Sequence, residues 1–187
     1  MKLSQRICIL ICLMSLASLA TAQGEEGQGM PRMGQPSEMK TLAYLPGDWD
    51  AVMKMKMSDT STAWTEFKGT AHCTSLLDGC IYQTEFEADM GGMKMKGMSF
   101  IAFDRETGRW QNVWIDNMSA RISIYEGERK NDTLTVVGKD LYLGKEYITR
   151  IMTFNETSTS YEWKMESSLD GGKTFIPMGS ATYTKRP

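Results

Sequence analysis

The chain twice alternates methionine with lysine: Met53-Lys54-Met55-Lys56-Met57, and again Met93-Lys94-Met95-Lys96-Gly97-Met98. Strict apolar/charged alternation is the period of a β-strand with one dry and one wet face. The dry face here is thioether, which is polarizable and adapts to irregular partners. Two such strands point to the inner wall of a β-barrel, lined with soft side chains that accept an apolar ligand or a soft metal ion.

The same alternation recurs along the chain. From Asp48 onward the sequence divides into ten strands, at 48–58, 63–75, 80–89, 93–103, 109–117, 120–129, 133–140, 145–155, 159–168 and 174–184. Turn residues separate them: Asp78-Gly79, Gly91-Gly92, Asp104 to Gly108, Lys130-Asn131-Asp132 and Asp170-Gly171-Gly172-Lys173. The connections are too short for parallel crossovers. Ten strands in hairpin order leave two open edges unless the sheet closes, so the reading is all-β: an antiparallel up-and-down barrel. Ser37 is placed to cap a short N-terminal helix running to about Tyr44, which Pro46-Gly47 ends.

Alternation also assigns faces. Trp49, Ala51, Met53, Met55 and Met57 share one side of the first strand. Tyr82, Phe86 and Ala88 share one side of the third, and Tyr161, Trp163 and Met165 one side of the ninth. In the fifth strand Trp110, Asn112, Trp114 and Asp116 share a face. If that face points inward, Asn112 and Asp116 are polar groups in an apolar lumen, where each needs a partner and would meet the polar end of a ligand.

Residues 1–22 read as a signal peptide. Lys2 and Arg6 are the basic start, Ile7 to Leu19 the apolar run, and Ala20-Thr21-Ala22 a small-x-small cleavage site. The run is short for a membrane span, and no later segment is apolar enough to be one. Residues 23–36 lack periodicity and read as a disordered linker, leaving 37–187 as one barrel domain. The expected location is secreted or periplasmic, after cleavage near Ala22. The net charge is −2 before two basic leader residues are lost. A mildly acidic chain without a basic block argues against nucleic acid as a partner. A monomer is expected.

Cys8 and Cys12 lie in the leader, so the mature chain keeps Cys73 and Cys80. An exported hairpin with two cysteines is read as carrying a Cys73–Cys80 disulfide. The competing reading is a soft-metal site with His72, the only histidine. Neighbouring strand residues point to opposite faces, so His72 and Cys73 do not readily share an ion. No metal and no cofactor is assigned. There is no nucleophile-elbow pattern, so no catalytic set is assigned either.

Gly47-Asp48-Trp49 resembles the G-x-W signature of lipocalins and other calycins. The resemblance implies that Trp49 closes one barrel end beneath a basic side chain of the last strand. Lys185 or Arg186 is in place, and Arg186 is given that role beside Gly47 and Trp49. A longer match covers nearly the whole domain. Leu45-x-Gly47-x-Trp49, Lys68-Gly69-Thr70, Phe100 to Asp104, Trp114-Ile115-Asp116-x-Met118, Tyr125-Glu126-Gly127 and Ala181-Thr182-Tyr183-Thr184 follow in order. Together they resemble the 1579 family of domains of unknown function, exported bacterial proteins with a calycin-like barrel. That implies fold and export and brings no established activity.

The function expected is binding of a small apolar or amphipathic molecule by Met53, Met55, Phe86, Met95, Asn112, Trp114, Asp116, Tyr125 and Trp163. Two alternatives stand beside it. One is an enzyme using Asp116 and Glu126 in the barrel mouth; the other is Cu(I) binding through the methionine strands.

Overall fold

The computed structural model describes residues 33–58, 60–142 and 144–187. The signal peptide and most of the linker read from the sequence lie outside the described residues. Ten strands follow one another: β1 (Gly47–Met55), β2 (Thr65–Leu76), β3 (Ile81–Asp89), β4 (Lys94–Asp104), β5 (Arg109–Asp116), β6 (Ile122–Lys130), β7 (Thr133–Tyr142), β8 (Lys145–Phe154), β9 (Ser160–Ser168) and β10 (Ile176–Lys185). Each pairs antiparallel with its chain neighbours, and β1 pairs with β10, closing the barrel. Closure satisfies the edge hydrogen bonds that a flat ten-stranded sheet would expose.

The registers fix which face points inward. On β1, Trp49, Ala51 and Met53 are buried while Asp50, Val52 and Lys54 are exposed. Opposite residues keep the same parity around the barrel. Met53 faces Phe67 and Ala181, Phe86 faces Gly97, Asn112 faces Ile101 and Tyr125, and Trp163 faces Ala181. The Trp110 face of β5 is therefore the lumen face, and Trp110 itself is buried.

The two ends differ. At one end lies a short 3-10 helix, Ser37–Leu42, whose Met39 and Leu42 are almost wholly inaccessible. Ser37 does not cap it. Pro36 precedes the first turn, no side chain caps it, and the Ser37 hydroxyl donates to Glu38 instead. Contact with the barrel also begins earlier than the sequence implies. Pro36 is buried, the Gln35 amide donates to Tyr82, and the Gly34 carbonyl accepts from Cys80 and Arg105. Residues 34–36 thus pack on the barrel rather than form part of a linker. The opposite end is framed by the β1–β2, β3–β4, β5–β6, β7–β8 and β9–β10 hairpins and carries no covering element among the described residues.

The Cys73–Cys80 disulfide does not form, and both thiols are free. The register places Thr84 opposite Cys73 and Ile81 opposite Leu76. Cys80 then sits at the turn, roughly four residues or ~13 Å from Cys73 along the ladder, beyond the ~7 Å Cα separation a disulfide tolerates. Cys73 is buried in the lumen wall, and burial pushes its thiol pKa up despite the Thr84 hydroxyl beside it.

Candidate functional site

The closed end is built from aromatic rings. Trp49 is 1% exposed and donates its indole N–H to the Leu45 carbonyl at 2.8 Å. Its ring meets Tyr44 at 6.3 Å and Tyr161 at 5.0 Å, both edge to face, and Tyr161 stacks on Tyr183 at 4.4 Å. The cation over Trp49 is Lys185, with Nζ 5.1 Å from the ring centroid and donating to the Tyr44 carbonyl. Arg186 does not take that role. One residue further along a strand it points outward and pairs with Asp50. Gly47 fits the expected closure: its φ of +126° suits glycine, and a Cβ there would lie 2.9 Å from the Lys185 stem. Arg129 and Glu156 add a two-pronged ion pair, both bonds 2.8 Å, between β6 and the β8–β9 hairpin.

Toward the open end the lumen wall changes character. Met55, Met95, Trp114 and Trp163 point inward but are only partly buried, in contrast to the sealed Trp49, Tyr82 and Trp110. Of the expected ligand-binding residues, Met53, Met55, Phe86, Met95, Asn112, Trp114, Asp116, Tyr125 and Trp163 all carry the inward parity. They do not form one patch. Met53, Phe86 and Tyr125 are buried core, Asn112 lies mid-strand opposite Tyr125, and the others stand toward the mouth. Met57 falls beyond β1 and is exposed, as is Met93 before β4. Met98 has outward parity opposite Ile115. Met55 and Met95 lie three strands apart, ~14 Å across the sheet.

The most organised polar group in the lumen is one the sequence reading missed. Asp140 on β7 is 7% exposed. Its carboxylate accepts from Ser123 Oγ at 2.6 Å, Tyr125 Oη at 2.8 Å, Thr149 Oγ1 at 2.7 Å and Arg121 Nη2 at 2.9 Å. Arg121 also donates to the Leu141 carbonyl. The buried charge is thus paired and its oxygens are occupied. Burial, and next the Asp140 charge, lift the Tyr125 phenol far above its ordinary value. Tyr125 stays neutral and donates. The signal was present in the alternation: Leu134, Val136 and Asp140 share parity, so an acid stands on the apolar face of β7.

Asp116 closes a second, smaller arrangement at the mouth. It accepts from the Trp114 indole at 2.7 Å and from the Met118 and Ser119 backbone N–H groups at 2.9 and 2.6 Å. Burial pushes its pKa up, but these donors outweigh burial and hold it below the usual carboxylate range. Glu126 does not join it. It has outward parity, is exposed, and lies beside Gln111 and Arg109. The acid pair that an enzymatic reading required is therefore not assembled. Arg150, on the outer wall, pairs with Glu166. His72 is also exterior, bonded to Asp48 at 2.7 Å. Among the described residues no group of three His, Cys, Asp or Glu side chains could hold a metal.

Asn112 and Ser99 also point into the lumen, and neither side chain is engaged by another described residue. Arg121 keeps guanidinium donors that Asp140 and Leu141 do not use. Two concavities of about 300 and 310 Å³ exist, but charged outward residues such as Asp50, Lys68, Glu87 and Lys96 line them, so they belong to the outer surface. Among the described residues no helix is long and apolar enough to cross a membrane.

A family model described as protein of unknown function (DUF1579) matches residues 35–185. No curated protein matches in sequence. Among solved structures, Rv2717c from M. tuberculosis is similar at 11% identity with a TM-score of 0.59, covering 82% of this chain and 99% of that one. The S-type phycobiliprotein lyase CPES from Guillardia theta is similar at 11% identity with a TM-score of 0.52, covering 82% of this chain and 95% of that one. At that identity the likeness is one of barrel fold.

Proposed function

From the premise that the chain belongs to the DUF1579 family of proteins of unknown function, we propose that its barrel holds a small amphipathic molecule with a neutral polar end, in an exported compartment. The observation that carries the reading is the mouth half of the lumen. Its partly accessible apolar wall of Met55, Met95, Trp114 and Trp163 stands beside unengaged Asn112 and Ser99. A mostly apolar concavity with a few oriented polar groups is the usual form of a small-molecule site. That a barrel of the same fold is titled a phycobiliprotein lyase supports a working lumen.

The charge balance selects the polar end. Asp140 and Asp116 are both inward, and Arg121 neutralises only the first. A carboxylate ligand would meet residual negative potential from Asp116. An alcohol, amide or ester would not, and Asn112 can both donate to it and accept from it. The neutral probe N-phenyl-1-naphthylamine should bind saturably, with one site per chain. A neutral amphiphile should displace it better than the carboxylate of the same chain length. Ser99→Phe sets a ring beside Trp114 and should weaken binding at least about tenfold, measured well below its melt because overpacking itself costs about 1–3 kcal/mol. Probe binding that ignores this substitution would reject a site in the lumen.

A further inference from the structure

The five hairpins at the open end share a feature that the lumen does not explain. Each presents a large apolar side chain to solvent: Met57 and Trp64 from β1–β2, Met93 from β3–β4, Met118 from β5–β6, Leu141 entering β7–β8, and Leu169 from β9–β10. These six are between 45% and 54% exposed. At the closed end, among the described residues, Leu77 on the β2–β3 hairpin and Met33 on the N-terminal segment are the large apolar residues exposed. Six such side chains together expose roughly 500 Å² of apolar surface, distributed around one opening rather than in a single patch.

The charges around this ring are one-sided in what they offer. Lys145 and Lys173 make no ion pair among the described residues, and Lys56 lies over the Trp64 ring at 5.2 Å, whereas Lys94 stands opposite Asp89 and acts on Glu87. Of the rim acids, Asp170 and Asp89 are turned into their own hairpins, while Glu146, opposite Leu141, is exposed and pairs with Lys139. Asp170 accepts from the Ser168 and Thr174 hydroxyls and from the Lys173 and Thr174 N–H groups, and Asp89 from Gly92. The face offered outward is apolar tips among lysines, of which Lys56, Lys145 and Lys173 make no ion pair among the described residues.

We propose that the open rim docks on the surface of a lipid bilayer carrying anionic headgroups, with the apolar tips inserted and the lysines at headgroup level. Side chains spread over five separate tips make a poor match to a rigid protein surface, which needs a contiguous, complementary core. A fluid interface accepts each tip independently. Indole and leucine with flanking lysine suit the boundary between headgroup and acyl chain. Docking would place the lumen opening against the phase where amphipathic molecules reside. The inference rests on the rim alone and stands whether or not the lumen binds the neutral probe.

The test is flotation of the purified protein with vesicles of phosphatidylcholine, alone or with roughly one-third phosphatidylglycerol. The wild type should partition, more strongly with the anionic lipid, and its emission should shift to the blue. That shift should be lost in Trp64→Phe. Met57→Glu/Met118→Glu charges two exposed tips on opposite sides of the mouth and should lower partitioning at least about tenfold. Leu77→Glu, at the closed end, should change it less than about twofold. Lumen probe binding measured in the same variants should be unaltered. No partitioning by the wild type, or equal loss in both variants, would overturn the proposal. Light scattering gives the remaining outcome. A dimer that the rim variant dissociates and vesicles do not would assign the rim to a second copy and also overturn it.

Discussion

Asp140→Asn is the perturbation that bears most directly on the lumen. The carboxylate takes two donors on each oxygen, Ser123 and Arg121 on one, Tyr125 and Thr149 on the other. Hydrogen bonds to a charged group contribute about 1.5–3 kcal/mol each, but asparagine keeps the shape and one acceptor oxygen. Its amide must then face two hydroxyls that now point donors at it. Those hydroxyls can rotate and accept, which recovers part of the loss. The Arg121 side chain is 34% exposed, so water restores much of its solvation and the full cost of stranding a buried charge does not apply. The net loss should be about 2–4 kcal/mol, or a fall in Tm of roughly 5–15 °C for a domain of this size. Urea melts at neutral pH measure it. Tyr125→Phe should cost about 1 kcal/mol, and the double variant should depart from additivity by at least about 0.5 kcal/mol. A loss below about 1 kcal/mol for Asp140→Asn, with additive Tyr125→Phe, would show that the four bonds do not act as a network.

Further outcomes follow from the same geometry. Gly127→Ala should unfold the protein or cost well over ~3 kcal/mol, because its Cβ would lie 1.8 Å from the Thr135 carbonyl oxygen, whereas Gly97→Ala meets a movable Trp114 ring and should cost less in the same melts. Alkylation of the native, unreduced protein should label Cys80 and spare buried Cys73, and mass spectrometry should find no disulfide. Lys185→Met should destabilise more than Arg186→Ala, since Lys185 is wedged between Trp49 and the Tyr44 carbonyl while Arg186 makes a surface pair. Burial lifts Tyr44, Tyr125, Tyr161 and Tyr183 above the ordinary phenol range. Their stabilisation is complete below the unfolded value near ~10 and is lost as pH rises above it. Tyrosinate absorbance from these four should therefore appear together with alkaline unfolding, not before it.

Strand count and lumen parity were legible because a barrel wall imposes period two on every strand. All ten segments were found, and the β5 face carrying Trp110 and Trp114 does point inward. What escaped the sequence depends on register between strands. Asp140 on β7 meets Ser123 and Tyr125 of β6, Arg121 just before β6, and Thr149 of β8, and only the register of these two hairpins brings them together. The disulfide failed for the same reason in reverse: two cysteines flank a hairpin, but its register sets Thr84 opposite Cys73. Arg186 and Lys185 differ by one position, which in a strand is the whole difference between outside and inside. The apolar rim was hidden because hairpin tips carry no periodicity to read.

Alternation decides which side chains face inward, but it does not decide how much room they leave. That is set by glycines on the neighbouring strands. At Gly97 a Cβ would lie 2.2 Å from the Trp114 ring, and at Gly69 2.6 Å from the Phe86 ring. At Gly179 it would meet the Met55 sulfur at 2.4 Å and the Trp163 ring at 3.1 Å. In each case a large inward side chain lies back against bare backbone instead of reaching across the lumen. Substituting alanine would lift those groups toward the barrel axis. Gly97 and Gly179 flank the mouth, beside Trp114, Met55 and Trp163, the residues proposed to meet the ligand's apolar part. The consequence separates packing from binding. Gly179→Ala should narrow the mouth and reduce affinity for a bulky apolar probe more than for a slender one. A purely structural glycine would lower stability and leave the ratio of the two affinities unchanged. Titration of both probes against the variant, at a temperature well below its melt, reads that ratio directly. An unchanged ratio would place the ligand away from Met55 and Trp163.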